Sequence, residues 1–156
     1  MLTLSPMKIE TSSSEETSTL GEKLGTQCSG GEIFLLMGDL GGGKTTFVKG
    51  LARGMDIEEP VTSPTFVLMN IYTPPAGGGC TGPSVLCHID LYRLSDVEDV
   101  ETTGIWDYAG SDDTVVAVEW PNLLLEGGFP PPYVVIRFSM VSGENKRRIE
   151  VEPVDR

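Results

Sequence analysis

The chain has 156 residues, of which 39% are hydrophobic and 22% charged, and its formal net charge is −12. This is the size and balance of one globular domain with a single core, and no apolar run approaches the length of a membrane span. So acidic a chain is a poor unaided ligand for nucleic acid, because affinity for a phosphate backbone comes mainly from Lys and Arg.

Residues 1–12 read as an extended lead and residues 13–156 as one domain. The lead lacks the charged start and long apolar stretch of a secretory signal, and it has no arginine of the transit-peptide kind. Three cysteines, Cys28, Cys80 and Cys87, form no CxxC pair, which suits a reducing, cytoplasmic setting. Cys80, Cys87 and His88 lie close in sequence but lack a fourth ligand and a zinc-type spacing.

Ser13-Ser14-Glu15-Glu16 places a glutamate three positions after a serine, a helix start. Leu20, Leu24 and Cys28 are its expected buried stripe, and Ser29-Gly30-Gly31 ends it. Ile33-Phe34-Leu35-Leu36-Met37 then reads as a buried strand. Gly38-Asp39-Leu40-Gly41-Gly42-Gly43-Lys44-Thr45 follows, and Thr46–Ala52 opens a helix. Glycine, four residues, glycine, lysine and threonine between a strand and a helix is the phosphate-loop pattern. The glycines let the backbone curl with its N–H groups pointing at an anion, and the helix start adds donors and a favourable dipole. Lys44 is expected near the β- and γ-phosphates, and the Thr45 hydroxyl on Mg²⁺.

After a polar connection over 54–59, Pro60-Val61-Thr62-Ser63-Pro64-Thr65-Phe66 is a loop, since its two prolines and three hydroxyl residues exclude a regular helix. Thr65 and Thr62 are candidates for sensing the γ-phosphate, or are a solvent-facing turn. Val67–Tyr72 reads as a strand, 73–83 as a mobile hairpin loop, and Val85–Asp90, running on to Leu94, as the antiparallel partner strand. Period two puts His88, Asp90 and Tyr92 on one face. Ser95-Asp96-Val97-Glu98 signals an acidic helix reaching about Thr102, and Gly104–Tyr108 an apolar stretch packed on the sheet.

Thr114-Val115-Val116-Ala117-Val118-Glu119-Trp120-Pro121 reads as a central parallel strand stopped by proline. It ends in a carboxylate at the sheet edge where α/β sites gather, so Glu119 is the expected partner of Thr45 at a metal. After a rigid loop over 127–132, strands at 133–140 and 147–151 flank a turn at 142–145. Asn145-Lys146 begins a guanine-reading motif, but Arg148 stands where its Asp belongs, which argues against a GTPase. The fold class expected is α/β, a P-loop NTPase-like three-layer fold with a mainly parallel mixed sheet and antiparallel hairpins.

Four stretches in this order, Gly38–Thr46, Val61–Phe66, His88-Ile89-Asp90-Leu91-Tyr92-Arg93-Leu94 and Glu119-Trp120-Pro121, resemble the TsaE family of bacterial tRNA threonylcarbamoyladenosine biosynthesis ATPases over residues 14–151. The resemblance implies ATP hydrolysis with Mg²⁺, stimulated by TsaD-like and TsaB-like partners, with tRNA met only through them. It implies catalytic roles for Lys44, Asp90, Glu119 and Thr65. Asp39, Leu40, Gly41, Gly42, Gly43, Lys44, Thr45 and Thr46 would hold the nucleotide, and Thr45 and Glu119 the metal. Asp90 would lie by the γ-phosphate, and Tyr92 and Arg93 at the site rim or partner surface. Two departures stand out: Asn122 where the family usually has Glu, and a long 73–84 loop. A small P-loop phosphotransferase and a nucleotide-dependent binding switch are the alternative functions; a kinase would need an acceptor pocket and an arginine-bearing lid.

Overall fold

The computed structural model describes residues 2–39, 41–76, 82–142 and 146–156. Its strands are β1 (Met7–Thr11), β2 (Ile33–Gly38), β3 (Met69–Tyr72), β4 (Val85–Asp90), β5 (Thr114–Glu119), β6 (Tyr133–Met140) and β7 (Arg147–Val154). The helices are α1 (Ser14–Gln27), α2 (Lys44–Gly54) and the short α3 (Asn122–Glu126).

One seven-stranded sheet runs in the order β1-β7-β6-β2-β5-β4-β3. Its four central strands, β6, β2, β5 and β4, are parallel, while β3, β7 and β1 join antiparallel. The extended lead is therefore partly sheet, with Met7 opposite Val151 and Thr11 opposite Arg147. The expected α/β, mainly parallel architecture with antiparallel hairpins is the one observed.

Alternation along the strands divides the core in two. Phe34 and Leu36 face α1 and α2, and pack with Leu24, Phe47 and Leu51. Ile33 and Leu35 face the other side, against Val100, Ile105, Leu124 and Phe129. Buried Glu32, just before β2, accepts N–H bonds from Leu2, Ser29 and Gly30 and so ties the lead to the base of the sheet. Burial alone would raise its pKa, but those backbone donors prevail and hold it below the ordinary glutamate value.

Expected boundaries move, and the last strand runs on to Val154, past the expected 151. The strand expected from Val67 begins at Met69, because Thr65–Val67 turns: the Val67 and Leu68 N–H groups both bond the Pro64 carbonyl, and Leu68 takes φ +69°. The strand expected to run on to Leu94 stops at Asp90, whose carboxylate accepts the Tyr92 N–H at 2.8 Å in place of a ladder bond. The acidic helix is a 3₁₀ segment over Val97–Thr103 capped by Asp96, not Ser95, because the Asp99 side chain reaches back to the Asp96 N–H. The middle of the 73–83 loop, with Cys80, lies outside the described residues, as does the turn through Asn145. Among the described residues no helix is long and apolar enough to cross a membrane.

Candidate functional site

The parallel strands end together, so the residues after β2, β4 and β5 share one edge. The Gly38–Gly43 loop leaves β2 there and feeds straight into α2, whose first residue is Lys44. Gly43 sits at φ 103° and Gly41 at φ 76°, a backbone that L side chains adopt at a cost, so the curl depends on glycine. The turn is closed by Gly42 N–H donating to the Asp39 carbonyl at 3.0 Å. Gly41, Gly42, Gly43, Lys44, Thr45 and Thr46 line a cleft of about 250 Å³ together with Thr65, Asp90, Glu119 and Trp120, whereas Asp39, expected to hold the nucleotide, is not in its lining. Leu40 lies outside the described residues.

Lys44 is buried, and its ammonium donates to the Gly38 and Asp39 carbonyls. It also lies 4.0 Å from the centre of the Trp120 ring, a cation–π contact. Trp120 holds φ +58° at the end of β5, which turns its indole over the loop and against Tyr92, ring centres 5.0 Å apart. Desolvation lowers the Lys44 pKa; the carboxylates of Glu119, Asp90 and Asp39 push the other way without overcoming it.

Across the cleft, the Thr45 hydroxyl lies 3.0 Å and 3.2 Å from the two Glu119 oxygens. These groups are 74 residues apart in sequence, and the helix start and the strand tip bring them into contact. Asp90, level with Glu119 across the β4–β5 pairing, accepts the Thr65 hydroxyl at 2.8 Å. Ser63 in turn lies 2.7 Å from that hydroxyl. Thr62 takes another role: its backbone exchanges hydrogen bonds with the Tyr72 hydroxyl and anchors the loop. The site therefore pairs a cation and an N–H-rich loop, fit for phosphate, with a hydroxyl and carboxylate, the hard oxygen donors that Mg²⁺ takes.

Sequence reasoning gave no site role to several contributors. His88 Nε2 lies 2.6 Å from Glu119 Oε2. Arg147 donates to the Gly41 carbonyl at 3.1 Å from 106 residues away, and it lines the cleft. Ser13, Ser14 and Thr17, at the start of α1, line it as well. Of these, His88 carried the strand alternation that puts it on one face with Asp90, and Ser13 carried a signal for its cap: its hydroxyl accepts the Glu16 N–H at 3.1 Å. Arg93 lies over the exposed Phe66, ring centre 5.0 Å away, and neither residue lines the cleft. Among the described residues no group of three or more His, Cys, Asp or Glu could hold a metal, and Cys80 lies outside them.

A mainly parallel mixed sheet with a glycine-rich loop between β2 and α2, and acids at neighbouring strand tips, defines a P-loop-type α/β protein. The crystal structure of Bacillus subtilis YdiB shares this fold, with a TM-score of 0.69 and 28% identity over 97% of this chain and 87% of that one. The chain belongs to the TsaE family, whose profile, described as "Threonylcarbamoyl adenosine biosynthesis protein TsaE", matches residues 11–149. It is similar to proteins named tRNA threonylcarbamoyladenosine biosynthesis protein TsaE in several bacteria. That of Mycobacterium tuberculosis is 41% identical, over 72% of this chain and 67% of the relative. That of Nostoc is 36% identical over 94% and 85%, and that of Aquifex aeolicus 36% over 89% and 90%.

Proposed function

We propose that this chain binds ATP with Mg²⁺ in the cleft, hydrolyses it, and serves tRNA threonylcarbamoyladenosine biosynthesis beside TsaD-like and TsaB-like partners. The observation that carries this reading is the Thr45 hydroxyl resting on both Glu119 oxygens one residue after Lys44, at the mouth of a glycine-lined loop. The names of the relatives support the pathway, and the cleft supports the chemistry. The net charge of −12 suits docking on a basic partner and leaves contact with tRNA to that partner.

The chain's own groups divide the work. The N–H groups of 41–46 bind phosphate oxygens at the helix start. Lys44 exchanges the Gly38 and Asp39 carbonyls, its present acceptors, for β- and γ-phosphate oxygens, a charge-assisted bond that repays the burial of its ammonium. Thr45 and Glu119 hold Mg²⁺, which when bound neutralises charge developing on the phosphates. Asp90, held by Thr65 and the Tyr92 N–H, orients the attacking water. Trp120, whose ring packs against Tyr92, covers the Lys44 ammonium.

Phosphate release measured with and without the partner proteins tests this. Lys44→Ala and Thr45→Ala should abolish it, and Glu119→Ala should weaken its Mg²⁺ dependence. Release unchanged in all three variants would show that hydrolysis occurs elsewhere. Recovery of the tRNA-modification proteins in an ATP-dependent pull-down is the expected result for the partnership, and their absence with and without ATP would refute it.

A further inference from the structure

His88 lies on β4 with its imidazole fully buried, and it does not line the cleft. Its Nε2 is 2.6 Å from Glu119 Oε2, while its Nδ1 has no hydrogen-bond partner among the described residues. A buried polar atom left without a partner is expensive, and a leucine in the same place would avoid that cost. The bonding pattern assigns the hydrogen. A carboxylate oxygen only accepts, so Nε2 donates.

The sheet register explains the reach. His88 is level with Ala117 and Asp90 with Glu119 across the β4–β5 pairing. His88 therefore crosses diagonally above Ala117, whose single methyl leaves room, to the carboxylate at the strand tip. Glu119 is thereby held from two sides, by α2 through Thr45 at 3.0 Å and by β4 through His88 at 2.6 Å. A glutamate at a strand tip otherwise has three rotatable bonds to order when it takes a ligand. Bonds from two elements order them in advance, as the groups behind metal ligands do.

We propose that His88 is a positioning residue: its Nε2–H locks the Glu119 carboxylate in the orientation that receives Mg²⁺. This role rests on the reading of the cleft as a magnesium–nucleotide site. It differs from a purely structural role in one respect. Losing His88 should impair the response to Mg²⁺ and leave metal-free nucleotide binding intact, because the glycine loop and Lys44 do not touch the imidazole.

Calorimetric titration with a non-hydrolysable ATP analogue, in EDTA and across a MgCl₂ series, separates these. Wild type is compared with His88→Leu, His88→Asn and His88→Gln, each checked for folding by its melting curve. All are expected to bind equally in EDTA. The Mg²⁺ concentration giving half the affinity gain should rise about 10- to 100-fold in His88→Leu and His88→Asn. His88→Gln, whose amide nitrogen reaches the place of Nε2, should recover most of the loss. If His88→Leu does not fold, the contrast between Asn, too short to donate, and Gln still decides. Equal Mg²⁺ dependence in His88→Asn and wild type would overturn the role, as would an equal loss of affinity in EDTA. No Mg²⁺ effect in wild type would instead overturn the magnesium reading of the cleft, and this role with it.

Discussion

Helices α1 and α2 approach so closely that glycine is required at their contact, and Gly50→Ala tests this. A Cβ at Gly50 would stand 1.9 Å from the Ser18 carbonyl oxygen and 2.7 Å from its carbon. Ordinary contact begins at 3.4 Å, so the helices must part by about 1.5 Å, and no rotamer change can relieve a clash with backbone. Gly21, Gly25 and Gly54 meet the facing helix in the same way, with added Cβ atoms at 2.2, 2.3 and 2.2 Å from backbone oxygens. Overpacking of this kind costs about 1–3 kcal/mol, and a rigid backbone partner places Gly50 at the upper end. Alanine is the better helix former by about 1 kcal/mol, which offsets part of it. The net loss expected is about 2 kcal/mol, or about 4–8 °C in Tm for a domain of this size. Urea unfolding should show a lower midpoint with an unchanged slope. Because the start of α1 lines the cleft, nucleotide affinity should fall as well. If Gly50→Ala is as stable as wild type or more so, propensity dominates and the close approach of the helices is refuted.

Three further outcomes are expected. The folded-state pKa of Lys44 lies below its ordinary 10.5, so the unfolded chain binds more protons between the two values and stability rises with pH there. Wild type should therefore gain stability relative to Lys44→Met as pH rises from neutral towards 10.5, in urea titrations at each pH; a flat difference would contradict the desolvation of Lys44. Burial pushes the Cys87 thiol up to about 12 and, with the nearby Glu32 charge, that of Cys28 likewise. Iodoacetamide at pH 8 should leave both unlabelled in the folded protein and label both in urea, as read by mass spectrometry; native labelling would show that they are reachable. Arg147→Ala should weaken binding of ATP more than of adenosine in calorimetry, because its guanidinium lies at the phosphate loop; equal losses would place it against the nucleoside instead.

Local chemistry was legible in the amino-acid order. Four glycines before Lys-Thr dictate the curl, since few other residues accept φ of 76° and 103°. An apolar run ending in one acid identified β5 and Glu119 because a strand buried on both faces has no other place for a carboxylate than its tip. Period two placed His88 and Asp90 on one face. Boundaries failed where a side chain captured the backbone: Asp90 ends β4, and Asp99 moves the cap to Asp96. The glycine contacts between α1 and α2 had a signal, in Gly21–Gly25 and Gly50–Gly54 at helical spacing, but nothing local says which helix answers it.

Periodicity, turn chemistry and the phosphate-loop pattern act over a few residues, and so the sequence by itself determined most of the elements, the loop and its candidate acid, but neither β1 nor α3. Strand order, the β4–β5 register and the crossing of α1 over α2 arise from burying both faces of one sheet at once. Only the folded chain could therefore bring Thr45 to Glu119, seat His88 behind it over Ala117, and carry Arg147 back to Gly41.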